Sequence, residues 1–167
     1  VGTFFGSNIA YQDGTAIYMF GTGGRKSIIS DCWFESNHGE GGSAMWAECY
    51  HNDSLLITGC HFLQNYAKSN GTLCINSLQS TKISITECEF RENFAYYGGG
   101  IYLNSNDTLS EVTNCLFKNN LSGSVFDDYY THGSAAYLTA LSNSHMKLTN
   151  CSMIENEHLN PGAAVKT

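Results

Sequence analysis

The motif Phe-x-x-Asn recurs through this chain at Phe5–Asn8, Phe34–Asn37, Phe62–Asn65, Phe90–Asn93 and Phe117–Asn120, with Met153–Asn156 as a sixth copy. Successive asparagines stand 29, 28, 28, 27 and 36 residues apart. A fixed period of this length is the signature of stacked repeats and restricts the fold before composition is considered. Two more elements keep the period. A glycine opens a small-then-apolar segment at Gly14–Ile17, Gly42–Met45, Gly71–Cys74, Gly98–Ile101, Gly133–Ala136 and Gly162–Val165. Upstream of each phenylalanine lie Leu55-x-Ile57-x-x-Cys60-x-Phe62 and Ile83-x-Ile85-x-x-Cys88-x-Phe90, whose second half recurs around Cys32, Cys115 and Cys151.

Apolar residues two apart mark one face of a strand, because side chains alternate with period two. The three-residue step from Ile57 to Cys60 breaks that alternation, so the chain must bend there to keep both inside. Ser30, Thr58, Thr86, Thr113 and Thr149 occupy this bend, a second falls at the motif asparagine, and glycine starts the third strand. Three short strands per repeat of about 28 residues make one turn of a parallel β-helix, an all-β solenoid whose coils stack about 4.8 Å apart. Like then lies above like, in Cys, Phe and Asn ladders. Buried asparagines in such a stack bond one another and the bend backbone. Residues 1–167 are thus expected to form one domain of about six coils, marked by Asn8, Asn37, Asn65, Asn93, Asn120 and Asn156, with an insertion at 121–132.

Composition narrows the function classes. The 167 residues are 42% apolar and 13% aromatic, which argues against a disordered chain. A formal charge of −7 argues against a nucleic acid or an anionic membrane as partner. No apolar run approaches the roughly 18 residues of a membrane span. The single proline, Pro161, and 17 glycines fit many short strands and turns.

The Phe-x-x-Asn motif together with the Gly-led segments resembles the repeat of chlamydial polymorphic outer membrane proteins and, more broadly, the right-handed, pectin-lyase-like β-helix superfamily. The resemblance covers nearly the whole chain. It implies a right-handed, surface-exposed helix working in adhesion or as a passenger or stalk. The glycine segments depart from the family's strict Gly-Gly-Ala in every copy.

Of seven cysteines, Cys32, Cys60, Cys88, Cys115 and Cys151 share one phase of the repeat, while Cys49 and Cys74 do not. No pair has zinc-ligand spacing, so no metal site and no resident cofactor is expected. In-register cysteines on adjacent coils would lie about 4.8 Å apart, within disulfide range, or serve as small buried apolar residues. Sequons for N-linked glycans occur at Asn52, Asn70, Asn106, Asn120 and Asn150. Asn52 and Asn106 are placed in the turn leaving the third strand, Asn70 in the loop before Gly71, and Asn150 outward beside an inward cysteine. Asn120 is itself a ladder residue, expected to be buried and a poor acceptor. These sites point to a secreted or cell-surface glycoprotein.

The superfamily also contains polysaccharide lyases and hydrolases. Glycoside hydrolysis needs two carboxylates about 5–10 Å apart, and nothing is expected to converge on one coil face from several rungs. Glu35, Glu92 and Glu155 recur at the bend, and Arg91 points outward. Asp127 and Asp128 lie in the insertion, where Phe126, Tyr129 and Tyr130 offer rings to stack on sugars, and the aspartates could hold calcium. Aromatics folding back over Tyr96 and Tyr97 are the other reading of that loop. The expected function is a non-catalytic extracellular structural or adhesive β-helix, with a carbohydrate-active enzyme or a glycan-binding module on the insertion as alternatives. With no leader and no cap at either end, the chain is expected to be a segment of a larger chain or to stack end to end on copies of itself, possible external partners being glycans or a cell surface.

Overall fold

The computed structural model describes residues 1–123, 133–159 and 163–166. Among them every regular element is a β-strand, and the strands pair in parallel across successive repeats. The phenylalanine sheet has six strands in chain order: Phe4–Gly6, Trp33–Glu35, His61–Leu63, Glu89–Arg91, Leu116–Lys118 and Ser152–Ile154. Six rungs bound about five turns, one fewer than the motif count suggests.

The cross-section differs from three strands per coil. A two-residue strand follows each asparagine from the second repeat on, at His38–Gly39, Tyr66–Ala67, Phe94–Ala95, Leu121–Ser122 and Glu157–His158, and these form a five-stranded sheet of their own. The third sheet has nine strands and holds both remaining segments of each coil. In Leu73–Thr86 and Ile101–Thr113 those two segments run as one strand. Each coil therefore carries four strand segments in three sheets. Two residues are too few to show an alternating pattern, which is why the short strand left no trace in the sequence.

The bends also move by one residue. The first turns not on the Ser/Thr but on its successor, where Asp31, Gly59, Glu87, Asn114 and Asn150 have φ of 55°, 61°, 54°, 56° and 53°. The second turns one residue before the asparagine, at Ser7, Ser36, Gln64, Glu92, Asn119 and Glu155, with φ of 52–55°. A left-handed residue other than glycine costs about 1–2 kcal/mol, and its backbone reversal frees the asparagine that follows to point inward.

The interior consists of the ladders. Rings of Phe5, Phe34, Phe62, Phe90 and Phe117 stack with centroids 4.9, 4.9, 4.6 and 4.9 Å apart and planes within 7°. Phe34, Phe62, Phe90 and Phe117 are fully buried, worth about 1.5–3 kcal/mol each. The amides of Asn37, Asn65, Asn93 and Asn120 each donate to the next asparagine and to a backbone carbonyl of the preceding repeat; Asn65 Nδ2 reaches Asn93 Oδ1 at 3.1 Å and Phe34 O at 3.0 Å. One repeat slips against expectation. Leu73, not Cys74, pairs with Met45 and Ile101, so Asn70 rather than Gly71 stands opposite Gly42. Inward placement of Leu73 and Ile75 decides this register and sends Cys74 to the other side of the strand.

Candidate functional site

Alternation that buries Phe34, Phe62 and Phe90 forces their neighbours outward. Register then aligns Trp33, His61 and Glu89 in one column and Glu35, Leu63, Arg91 and Lys118 in the next. Trp33 stacks on His61 with centroids 4.3 Å apart and planes 28° off parallel. His61 Nδ1 lies 3.0 Å from Glu89 Oε2, and Arg91 Nε donates to Glu89 Oε1. These side chains, with Phe62 and Leu63, line a shallow pocket. A carboxylate can only accept, so Nδ1 of His61 carries a proton and donates in this contact. Glu89 is the most enclosed of the three polar members, 25% exposed against 40% for His61 and 43% for Arg91.

This grouping corrects the expectation that nothing converges on one face from several rungs. Trp33, His61 and Glu89 each directly precede a motif phenylalanine and stand 28 residues apart. The signal was present in the column before the motif, but outward residues have no common chemistry to draw attention to it.

A second polar cluster sits on the outer side of the nine-stranded sheet. Glu48 accepts from Tyr18 Oη at 3.2 Å, Trp46 Nε1 at 3.1 Å and Tyr50 Oη at 2.9 Å. Burial and then the bond to Glu48 push the Tyr50 hydroxyl up to about 12. Nearby, burial and the Glu40 charge raise Asp13. Three donors on one carboxylate make Glu48 a clamp between aromatic side chains.

The cysteine ladder is present as free thiols. Cys32, Cys60, Cys88, Cys115 and Cys151 each donate to the carbonyl two residues earlier, at 3.2–3.4 Å. All but Cys32 also reach a carbonyl of the preceding repeat at 3.5–3.7 Å. Hydrogen bonds to Cys115 and Cys60, with burial, hold Cys88 above its ordinary range, while its own thiol lowers Cys60 and Cys115. Cys49 lies outside this ladder; burial and the Asp53 charge push it up to about 12.

The sequons separate by position. Asn52 is exposed in the turn after Met45–Tyr50, with φ of 66°. Asn150 is exposed at a corner, its amide 2.8 Å from Asn114 Oδ1. Asn70 is half-buried before Gly71. Asn106 is not in a turn leaving the strand: it is half-buried within Ile101–Thr113, one residue before a corner at Asp107 with φ of 54°. The strand runs through because residues on both sides of the corner pair with neighbouring repeats. Asn120 is 0% exposed, with its amide donated to Phe90 O and Asn156 Oδ1, both at 2.9 Å. A glycan on Asn120 is incompatible with this packing. Of the insertion, Leu121–Ser122 form a strand; Phe126, Asp127, Asp128, Tyr129 and Tyr130 lie outside the described residues.

Against known proteins, the profile of the family described as right handed beta helix region matches residues 1–165. No curated protein and no solved structure matches the chain.

Proposed function

The chain belongs to the right-handed β-helix family, and from that premise we propose that it is a non-catalytic structural or adhesive β-helix, glycosylated and displayed outside the cell. The observation that carries this reading is the division of labour among its asparagines. The ladder asparagines Asn37, Asn65, Asn93 and Asn120 are buried and bonded, whereas Asn52 and Asn150 stand exposed at corners within sequons. Stacking is the mechanism of the structural role: each coil presents the next with in-register backbone groups and matching side chains. Further coils or copies of the chain are the partners this reading gives it.

A polysaccharide lyase or hydrolase is the second reading. It is favoured by the His61–Glu89 pair, in which a carboxylate orients an imidazole on an outward face, an arrangement used in general acid–base catalysis. Peptide mapping of material secreted from a eukaryotic host tests the main proposal. Glycans are expected on Asn52 and Asn150, with Asn120 bare. Native material unmodified at all five sequons overturns the glycoprotein reading.

A further inference from the structure

We propose that the outward face of the phenylalanine sheet at Trp33, His61, Glu89 and Arg91 is a binding site for one neutral pyranose residue of a glycan. This goes beyond the structural reading and does not depend on whether the sequons are occupied. It also places recognition on a sheet face, away from the 121–132 insertion.

Each side chain has a separable task. Trp33 is 40% exposed although its indole stacks on His61, which leaves apolar surface for the C–H face of a sugar ring. Leu63 adds an apolar side to the same pocket. Glu89 has one oxygen on His61 and the other on Arg91, so it holds both in place. What remains is complementary to hydroxyls: Nε2 of His61 offers a polar ring nitrogen, and the terminal amino groups of Arg91 donate. A few planar polar groups converging beside an aromatic wall is the usual composition of a small-ligand pocket.

Charge selects a neutral sugar over an acidic one. Glu89 offsets Arg91 directly. Lys118, next in the Arg91 column, has Glu155 at 3.9 Å. Glu35 stands in the same column, and Glu92 at the adjoining corner is bonded to Gln64 at 2.8 Å. The chain as a whole carries −7. A polyanion would meet no net positive field here. No sequon asparagine lies within a strand of this sheet.

The test is binding of gluco-, galacto- and manno-configured neutral oligosaccharides to the purified chain, with polygalacturonate and heparin as polyanionic controls. Calorimetry and tryptophan fluorescence supply the readouts. At least one neutral oligosaccharide is expected to bind and perturb the fluorescence, and neither polyanion to bind. Trp33→Ala and Arg91→Ala should each weaken binding by about tenfold or more. Because both side chains point outward, the melting temperature should move by no more than about 4 °C. Arg91→Lys keeps the charge but loses the planar fork, and should still bind less tightly. No binding across the neutral panel, binding of the polyanions alone, or neutral binding that survives both Trp33→Ala and Arg91→Ala overturns the proposal.

Discussion

Asn93 concentrates the logic of the fold in one side chain. Its Nδ2 donates to Phe62 O at 2.9 Å and Asn120 Oδ1 at 3.0 Å, and its Oδ1 accepts from Asn65 N at 3.0 Å and Asn65 Nδ2 at 3.1 Å. Removing it strands a buried carbonyl and a buried N–H where water cannot replace the partner. Unmet buried groups cost about 1–3 kcal/mol each, so Asn93→Ala should lower unfolding free energy by about 3 kcal/mol. Denaturant titration measures this, and a loss as small as that of an exposed substitution would show the ladder to be dispensable. Its position was readable from the motif because a polar residue recurring beside a buried ring must be satisfied internally. The neighbouring corner residue carried no such signal: Ser36, Gln64, Glu92 and Asn119 share only a backbone conformation.

At the scale of elements, corners hold the strands in register, and the same corner is built from different residues in successive coils. Glu87 has φ of 54° where Gly59, one coil earlier, has 61°. Glycine relieves left-handed strain of about 1–2 kcal/mol but costs about 0.5–1 kcal/mol in chain entropy. Glu87→Gly should therefore raise stability by about 0.5 kcal/mol. Gly59→Ala should lower it, because a Cβ there would come within 2.8 Å of Asp31 Oδ1 and would also be strained at that φ. Paired thermal melts of the two variants check the opposite signs; destabilisation by both would mean that the corner does not set the balance. The strand segments themselves were only partly legible. Leu55, Ile57, Ile83 and Ile85 declare their strand by alternation, whereas Tyr66–Ala67 is too short to do so.

For the whole molecule, the enclosed interior and its rim make stability depend on pH at the alkaline end. Cys49 is pushed up to about 12, chiefly by burial and then by the Asp53 charge, and Tyr50 to about 12 by burial and its bond to Glu48. Their ordinary values are 9.0 and 10.0. An acid whose pKa is higher when folded keeps its proton longer in the native state, so between the two values the unfolded chain binds fewer protons and stability falls as pH rises. Denaturation midpoints should decline from about pH 9 toward pH 12. A midpoint that stays flat, or rises, across that interval would contradict the environments of both residues.

The sequence by itself determined the repeat, the parallel stacking, the inward Phe, Asn and Cys ladders and the outward side of each strand. Burial makes those positions recur in kind at a spacing near 28 residues, and in-register stacking turns recurrence into contact. Only the tertiary structure decided which residue turns each corner, that Leu73 rather than Cys74 faces inward, and that a fourth, two-residue segment completes each coil. It also brought Trp33, His61, Glu89 and Arg91 together. Outward side chains meet no packing requirement, so no shared chemistry marks their columns. Their contact follows from register at the level of single residues, and hydrogen bonding between neighbouring coils fixes that register.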